Sequence, residues 1–265
     1  MYPYKLFLGM TFYEIFLAVG IIAALLIFRI IADKKKYSAL LQNITIISGV
    51  FSIIVGYVGA VMLQAVYNWL ESGSFELNKS TGATFYGGLI GGVLFFLLCF
   101  FVGGGVWCRL KGIERNALKD FIDVSDIGAA SVAAAHGFGR LGCLLVGCCH
   151  GECTESWIGI WNERLQCKTV PVQLFEAIFL FALAAFIIYR SLRGKSFALP
   201  IYLVSYGVWR FTIEFLRSDD RGASPIKWLT PSQFIAVLLV TVGIAVAILM
   251  YRYRRRAQHG GTADE

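Results

Sequence analysis

The chain has 265 residues, of which 57% are hydrophobic and 15% are charged, and its mean hydropathy is +0.68. Soluble domains contain about half apolar and about a quarter charged residues, so these values exclude an ordinary soluble domain. The formal net charge of +7 requires no nucleic acid partner, because basic loops that face anionic lipids explain most of the excess. The composition predicts a membrane protein surrounded by membrane lipids.

Apolar runs of about 20 residues or more, without strand-like alternation, predict transmembrane helices. We predict an all-α fold with seven spans, which in chain order are residues 10–32, 43–70, 84–108, 124–147, 172–191, 198–216 and 230–251. These runs use nearly the whole chain, so we expect a single membrane domain over residues 1–252. Residues 253–265 are polar and small, and we expect a cytoplasmic tail there.

Basic residues are distributed unequally between the two sides of the predicted membrane. Fourteen lie in the loops after spans one, three, five and seven, and seven lie on the opposite side. By the positive-inside rule, the N-terminus is outside and the C-terminus is cytoplasmic. Three basic residues remain, and Arg29 lies where its side chain can reach the cytoplasmic surface. Arg140 and Arg210 lie toward the outer ends of spans four and six. Placing an arginine within a span costs about 2.5–3.5 kcal/mol of insertion free energy, so an arginine there indicates a functional site.

Arg140 stands in the segment Gly139-Arg140-Leu141-Gly142. Small residues on a membrane helix allow another backbone or a ligand to come close. A planar guanidinium with fixed donors suits a pair of phosphate oxygens better than an ammonium group does. The segment therefore indicates an anion site, and the alternative is an ion pair between Arg140 and a carboxylate of another helix.

Arg210 and Glu214 are four residues apart, so they lie on one face of span six. They could neutralise each other, although arginine before glutamate is the less favourable order at this spacing and leaves Arg210 able to bind a ligand. Glu214 could also orient Arg210 or accept a proton. Residues 217–222 follow as a charged turn, which we expect to be solvated rather than catalytic. The alternative is that this turn gates access of a lipid headgroup.

A glycine-rich segment, residues 86–92, begins span three. Backbone N–H groups of Gly87 and Gly88 at a helix start can receive an anion, and Tyr86 offers a hydroxyl at the depth of the membrane interface. The alternative is that the glycines serve helix packing, as is common in membrane helices.

Five of the seven cysteines lie at or beyond the outer end of span four, at positions 143, 148, 149, 153 and 167. An exterior location permits disulfides, so we expect pairing among the last four of them. A metal site that uses His150 with these thiolates is an alternative, but the spacing does not match the two C-x2-C pairs of a closed zinc site. We predict no cofactor and no metal.

These motifs together resemble the prolipoprotein diacylglyceryl transferase family of seven-span enzymes of the bacterial inner membrane. The G-R-x-G-N-F-x-N-x-E-x-x-G signature of that family is similar to residues 139–151, and its H-G-G-L-I-G segment to residues 86–91. Its P-x-Q-L-Y-E segment is similar to residues 171–176, and its Y-G-x-x-R-x-x-x-E-x-x-R segment to residues 206–217. The four motifs follow the order of the family and cover nearly the whole chain.

The resemblance implies transfer of the diacylglyceryl group of phosphatidylglycerol to the thiol of a lipobox cysteine in a preprolipoprotein, at the outer leaflet. Glycerol phosphate would leave, and Arg140 and Arg210 would steady its charge. The thiol must lose a proton. The candidate acceptors are His136, His150 and Glu214, of which Glu214 is the first choice because its motif is retained. The predicted substrate-binding residues are Tyr86, Gly87, Gly88, Gly139, Gly142, Cys143, Gly151, Gln173, Glu176 and Tyr206.

The sequence departs from the family pattern at four positions. Cys143 and Val146 replace the two asparagines of the signature, Cys148 replaces its glutamate, and Tyr86 replaces the histidine of the H-G-G segment. His136, one turn before Arg140, could replace that histidine. These departures leave two alternatives, which are a non-catalytic phospholipid or lipoprotein binder and an exterior redox or metal protein built on the cysteines.

Overall fold

A computed structural model describes residues 1, 4–6, 9–73, 75, 77, 78, 81, 82, 84–195, 197–218 and 228–260, most of which are helical. The α-helices are α1 Phe12–Lys34, α2 Ala39–Ser72, α3 Phe85–Leu98, α4 Gly104–Leu110, α5 Ala117–Val146, α6 Val172–Leu192, α7 Ala198–Ile213 and α8 Pro231–Gly260. A π-helix, Cys99–Gly103, joins α3 to α4, and a 3-10 turn, Glu214–Leu216, follows α7. Strands β1 (Ile160–Asn162) and β2 (Cys167–Thr169) form an antiparallel hairpin.

Six helical stretches among the described residues are long and apolar enough to cross a membrane. They are Phe12–Lys34, Ala39–Leu70, Tyr86–Leu110, Ala117–Val146, Val172–Leu192 and Pro231–Arg256. They confirm the helical membrane class. The predicted sixth span corresponds to α7, whose 16 residues are fewer than the about 20 that usually cross a bilayer. The count of seven spans and the orientation of the termini therefore stay predictions.

The chain divides into two compact units, the first formed by Met1–Lys35 with Ser125–Glu265 and the second by Lys36–Val124. The single domain over residues 1–252 stays a prediction. Helix α8 continues to Gly260, so the described part of the expected tail is helical, and residues 261–265 lie outside the described residues.

Glycines on facing helices determine the packing of the second unit. A Cβ atom built on Gly59 of α2 would lie 2.8 Å from the carbonyl oxygen of Gly87 on α3, and one built on Gly56 would lie 3.0 Å from that of Gly88. Without these side chains, the two backbones come into direct contact. Gly87 and Gly88 thus pack α3 against α2, as the alternative interpretation of this segment expects.

Small residues also bring the helices of the first unit close together. A Cβ on Gly142 of α5 would lie 3.2 Å from the Cα of Tyr13 on α1, and one on Gly207 of α7 would lie 2.9 Å from the carbonyl oxygen of Ala236 on α8. Helices α5, α6 and α7 also share a buried apolar cluster, which consists of Ala129, Ala130, Leu183, Ile187 and Ala198. This packing positions the charged residues of α5, α6 and α7 described next.

Candidate active site

Three helices of the first unit join Arg140, Glu176 and Tyr206 in one buried network. Arg140 Nε lies 3.1 Å from Glu176 Oε2, and the hydroxyl of Tyr206 donates to Glu176 Oε1 over 2.8 Å. Arg140 Nη2 donates to the same hydroxyl over 3.5 Å. The Glu176 side chain is fully buried. The ion pair expected as the alternative for Arg140 is present, and its partner comes from a different sequence motif.

Arg210 and Glu214 form an ion pair, which is the sequence-based alternative to ligand binding by Arg210. Arg210 Nη2 lies 2.6 Å from Glu214 Oε2, and both side chains are 5% exposed. Glu214 Oε1 also accepts a hydrogen bond from the hydroxyl of Thr230 over 2.9 Å. Arg210 Nη1 is buried and has no hydrogen-bond acceptor within the part of the chain that the structure describes. A buried donor of this kind is a place where an anionic ligand can bind.

Arg217 also faces this network, so the expectation that it is solvated was wrong. Its side chain is 2% exposed, with Nη1 3.9 Å from Glu176 Oε2 and Nε 3.8 Å from Glu214 Oε2. The spacing from Arg210 through Glu214 to Arg217 follows one helical face and could have indicated this placement. The rest of the predicted charged turn, residues 219–222, lies outside the described residues.

Gly151 fixes the backbone beside Arg217. The two residues form an antiparallel bridge, and the N–H of Gly151 donates to the carbonyl of Val170 over 3.0 Å. A Cβ on Gly151 would lie 2.6 Å from the carbonyl oxygen of Leu216. The last glycine of the signature therefore allows close packing beside Arg217, while its predicted substrate contact stays a prediction.

His136 and Gln173 are held by neighbouring polar groups. His136 Nδ1 lies 3.3 Å from the Tyr202 hydroxyl, and Nε2 lies 3.4 Å from that of Tyr206. One hydroxyl thus connects His136 to Glu176. The fully buried Gln173 donates to the carbonyl of Cys148 over 2.6 Å, which holds the chain just after α5 against α6.

The glycines around Arg140 differ in their surroundings. A Cβ on Gly139 would meet no atom within 4 Å among the described residues, whereas Gly142 packs against α1. Tyr86, Gly87 and Gly88 belong to the other unit, and their part in substrate binding stays a prediction.

The cysteines divide into a disulfide and a cluster of free thiols. Cys153 and Cys167 are joined in a disulfide, which confirms that pairing occurs among the four expected cysteines. Cys143, Cys148 and Cys149 are free, and their Sγ atoms lie within 4.8 Å of one another. Hydrogen bonds from the thiols of Cys143 and then Cys148 lower the pKa of Cys149 below its usual value. Among the described residues, this trio is the one group of histidine, cysteine and acidic side chains close enough to share a metal ion.

Residues 4–249 match the family model for prolipoprotein diacylglyceryl transferase. A phosphatidylglycerol–prolipoprotein diacylglyceryl transferase of Clostridium tetani is 31% identical over 246 residues, which cover 88% of this chain and 90% of that protein. A second protein of that name from Clostridium perfringens is 33% identical over 244 residues and 88% of each chain. A third, from Dehalococcoides mccartyi, is 26% identical over 263 residues, or 95% of this chain and 92% of the relative.

Proposed function

The chain belongs to the prolipoprotein diacylglyceryl transferase family, and we propose that Arg140, Arg210 and Arg217 hold the phosphate of phosphatidylglycerol while this enzyme transfers the diacylglyceryl group to a prolipoprotein. The observation that carries the proposal is the convergence of these three guanidinium groups on the two carboxylates of Glu176 and Glu214. Arg210 Nη1 is a buried donor that has no acceptor among the described residues. An arginine that only holds helices together needs no such donor, so this group favours a bound ligand.

The chemistry explains why clustered arginines accelerate the transfer. The sulfur of the acceptor cysteine bonds to the carbon of the diacylglyceryl group that carries the phosphate. The bond from that carbon to the phosphate oxygen breaks, and glycerol phosphate leaves. The phosphodiester carries one negative charge, whereas a phosphate monoester carries about 1.5 to 2 at pH 7. Fixed guanidinium groups therefore attract the departing phosphate more strongly than the bound lipid, which lowers the barrier.

The neighbouring side chains divide the remaining tasks. Glu176 and Glu214 each contact arginine side chains, so we assign them to orienting the guanidinium groups. The acceptor thiol must lose its proton before it attacks. The candidate acceptors stay Glu214, which contacts Arg210 and Thr230, and His136, whose ring nitrogens contact the hydroxyls of two tyrosines.

We further propose that α7 is a short seventh span and that the site opens to the outer leaflet of the bacterial inner membrane. The excess of basic residues in the predicted cytoplasmic loops supports this orientation. The Cys153–Cys167 disulfide supports it too, because disulfides persist in oxidising compartments. The acceptor would then be the lipobox cysteine of a preprolipoprotein that has crossed the membrane.

The test uses the purified full-length chain with phosphatidylglycerol vesicles and a lipobox peptide. We expect release of glycerol phosphate together with a mass gain of one diacylglyceryl group on the peptide cysteine. Arg140→Gln should lose both signals, and Arg109→Gln, which changes an exposed arginine at the end of α4, should keep them. Unchanged turnover by Arg140→Gln would contradict the assigned phosphate site. Lipid binding without turnover by the unaltered chain would instead identify a binder.

A further inference from the structure

We propose that Cys143, Cys148 and Cys149 form a binding site for a single monovalent copper ion. These thiols lie outside the arginine and carboxylate network to which the transfer is assigned, and the predicted substrate contact of Cys143 stays a prediction. All three Sγ atoms lie within 4.8 Å of one another, so a small shift of the side chains brings them onto one ion. None of the three is in a disulfide.

The backbone after α5 brings the three thiols together. The N–H groups of Gly147 and Cys148 both donate to the carbonyl of Cys143, over 3.0 and 3.2 Å. Gly147 has φ +79° and Cys149 has φ +61°, and a left-handed conformation is uncommon for a residue with a side chain. The resulting tight turn folds positions 148 and 149 back toward Cys143. Gln173 holds the turn through the carbonyl of Cys148.

The number and type of the ligands favour monovalent copper over other ions. Thiolates are soft ligands that select Cu(I), zinc and iron–sulfur clusters. Structural zinc sites take four ligands, and the common iron–sulfur clusters take four cysteines, whereas this group among the described residues contains three. His150 is not in the group, and its Nδ1 lies 3.0 Å from the carbonyl of Gly151.

A thioether lies next to the turn that carries the thiols. The Met1 amine donates to the carbonyl of Trp161 over 2.8 Å, which holds the N-terminus beside this loop. A Cβ on Gly147 would lie 3.4 Å from Met1 Sδ, so a fourth sulfur lies next to the turn that carries the thiols. Thioethers bind monovalent copper and are poor ligands for harder ions.

Copper binding releases the thiol protons to solvent. Three thiolates with one Cu(I) then carry two negative charges.

The experiment titrates the purified full-length chain with Cu(I) without oxygen, in the presence of ascorbate and a coloured Cu(I) chelator. Ascorbate keeps copper monovalent without reducing the Cys153–Cys167 disulfide. We expect one ion per chain, at least a tenfold loss of affinity in Cys149→Ser, and no binding in the Cys148→Ser/Cys149→Ser double variant. Cys99→Ser and Cys108→Ser, which change free cysteines of the other unit, should bind like the unaltered chain.

A second measurement keeps the proposal falsifiable if the double variant does not fold. X-ray absorption of the copper-loaded unaltered chain should show sulfur as the nearest neighbours of copper. Nitrogen or oxygen neighbours would overturn the proposal. Equal copper binding by the folded double variant would overturn it too, as would tighter binding of Zn²⁺ than of Cu(I). A purified chain that is two mass units lighter after ascorbate treatment, because two of these thiols form a disulfide, would also overturn it.

Discussion

Two glycine-rich segments, one in α3 and one around Arg140 in α5, look alike in sequence but make different kinds of contact. Gly87 and Gly88 face Gly59 and Gly56 of α2, so they let two backbones touch. Helix α3 carries no ionisable residue apart from Tyr86. In α5, the glycines flank an arginine that meets carboxylate and hydroxyl groups of α6 and α7. Glycine spacing alone thus does not separate packing from ligand binding, whereas a buried cation with partners from other helices does.

The largest expected effect tests the charged side of this comparison. Arg210→Gln removes a guanidinium with a buried donor available to a ligand, so we expect the rate of glycerol phosphate release to fall about 100- to 1000-fold. The matched control is Arg193→Gln, which changes an exposed arginine of the same unit. A rate for Arg210→Gln within the range of this control would show that the buried charge around Arg140 and Arg210 is not needed for transfer.

The next effect concerns the loop that carries the last glycine of the signature. The Cys153→Ser/Cys167→Ser double variant removes a disulfide between residues 14 apart, which should lower the free energy of unfolding by about 3 kcal/mol. Thermal denaturation should show a lower midpoint, and a thiol reductant should lower the midpoint of the unaltered chain but not that of the variant. Equal midpoints in oxidised and reduced unaltered protein would contradict the stabilising role of the disulfide.

A substitution in α2 tests the packing side of the comparison. Gly59→Ala places a methyl carbon 2.8 Å from the carbonyl oxygen of Gly87, and such overpacking costs about 1–3 kcal/mol. Thermal denaturation should show the loss, while the activity per folded molecule stays unchanged. Gly105→Ala is the control, because its Cβ would meet no atom of the described residues within 4 Å. An activity loss in Gly59→Ala at full stability would indicate that the contact between α2 and α3 takes part in substrate binding.

The smallest effect probes how α7 supports the arginines. Tyr206→Phe removes the hydroxyl that contacts Arg140 and Glu176, and loss of a hydrogen bond to a charged group costs about 1.5 kcal/mol or more. We expect turnover to fall about tenfold, with Tyr189→Phe, an exposed tyrosine of α6, as the control. Full activity of Tyr206→Phe would remove this hydroxyl from the positioning network.

Local patterns predicted much of the fold, because an apolar run is a property of neighbouring residues. The predicted span 172–191 differs from α6, Val172–Leu192, by one residue. Helical spacing places Arg210 and Glu214 on one face, where their pairing is one of the two alternatives that the sequence allows. The short hairpin β1–β2 was not predicted, since three-residue strands leave almost no periodicity. A separate antiparallel bridge from Cys153 to Thr169 of β2 brings Cys153 beside Cys167.

Contacts between distant segments could not be predicted from spacing. Glu176 was a candidate lipid contact, and only the packing of α5 against α6 and α7 brings it to Arg140 and Tyr206. Arg217 was counted among solvated loop residues because it follows the apolar run. Its burial depends on the 3-10 turn after α7 and on the bridge to Gly151, a residue of another motif that lies 66 positions earlier in the chain.

Arg217 therefore offers the most direct test of the claim that three arginines converge on the lipid phosphate. The measurement is glycerol phosphate release by Arg217→Gln over a range of phosphatidylglycerol concentrations, beside Arg164→Gln, which changes an exposed arginine after β1. We predict that Arg217→Gln loses turnover as Arg210→Gln does, whereas Arg164→Gln behaves like the unaltered chain. Full turnover by folded Arg217→Gln would contradict the three-arginine site.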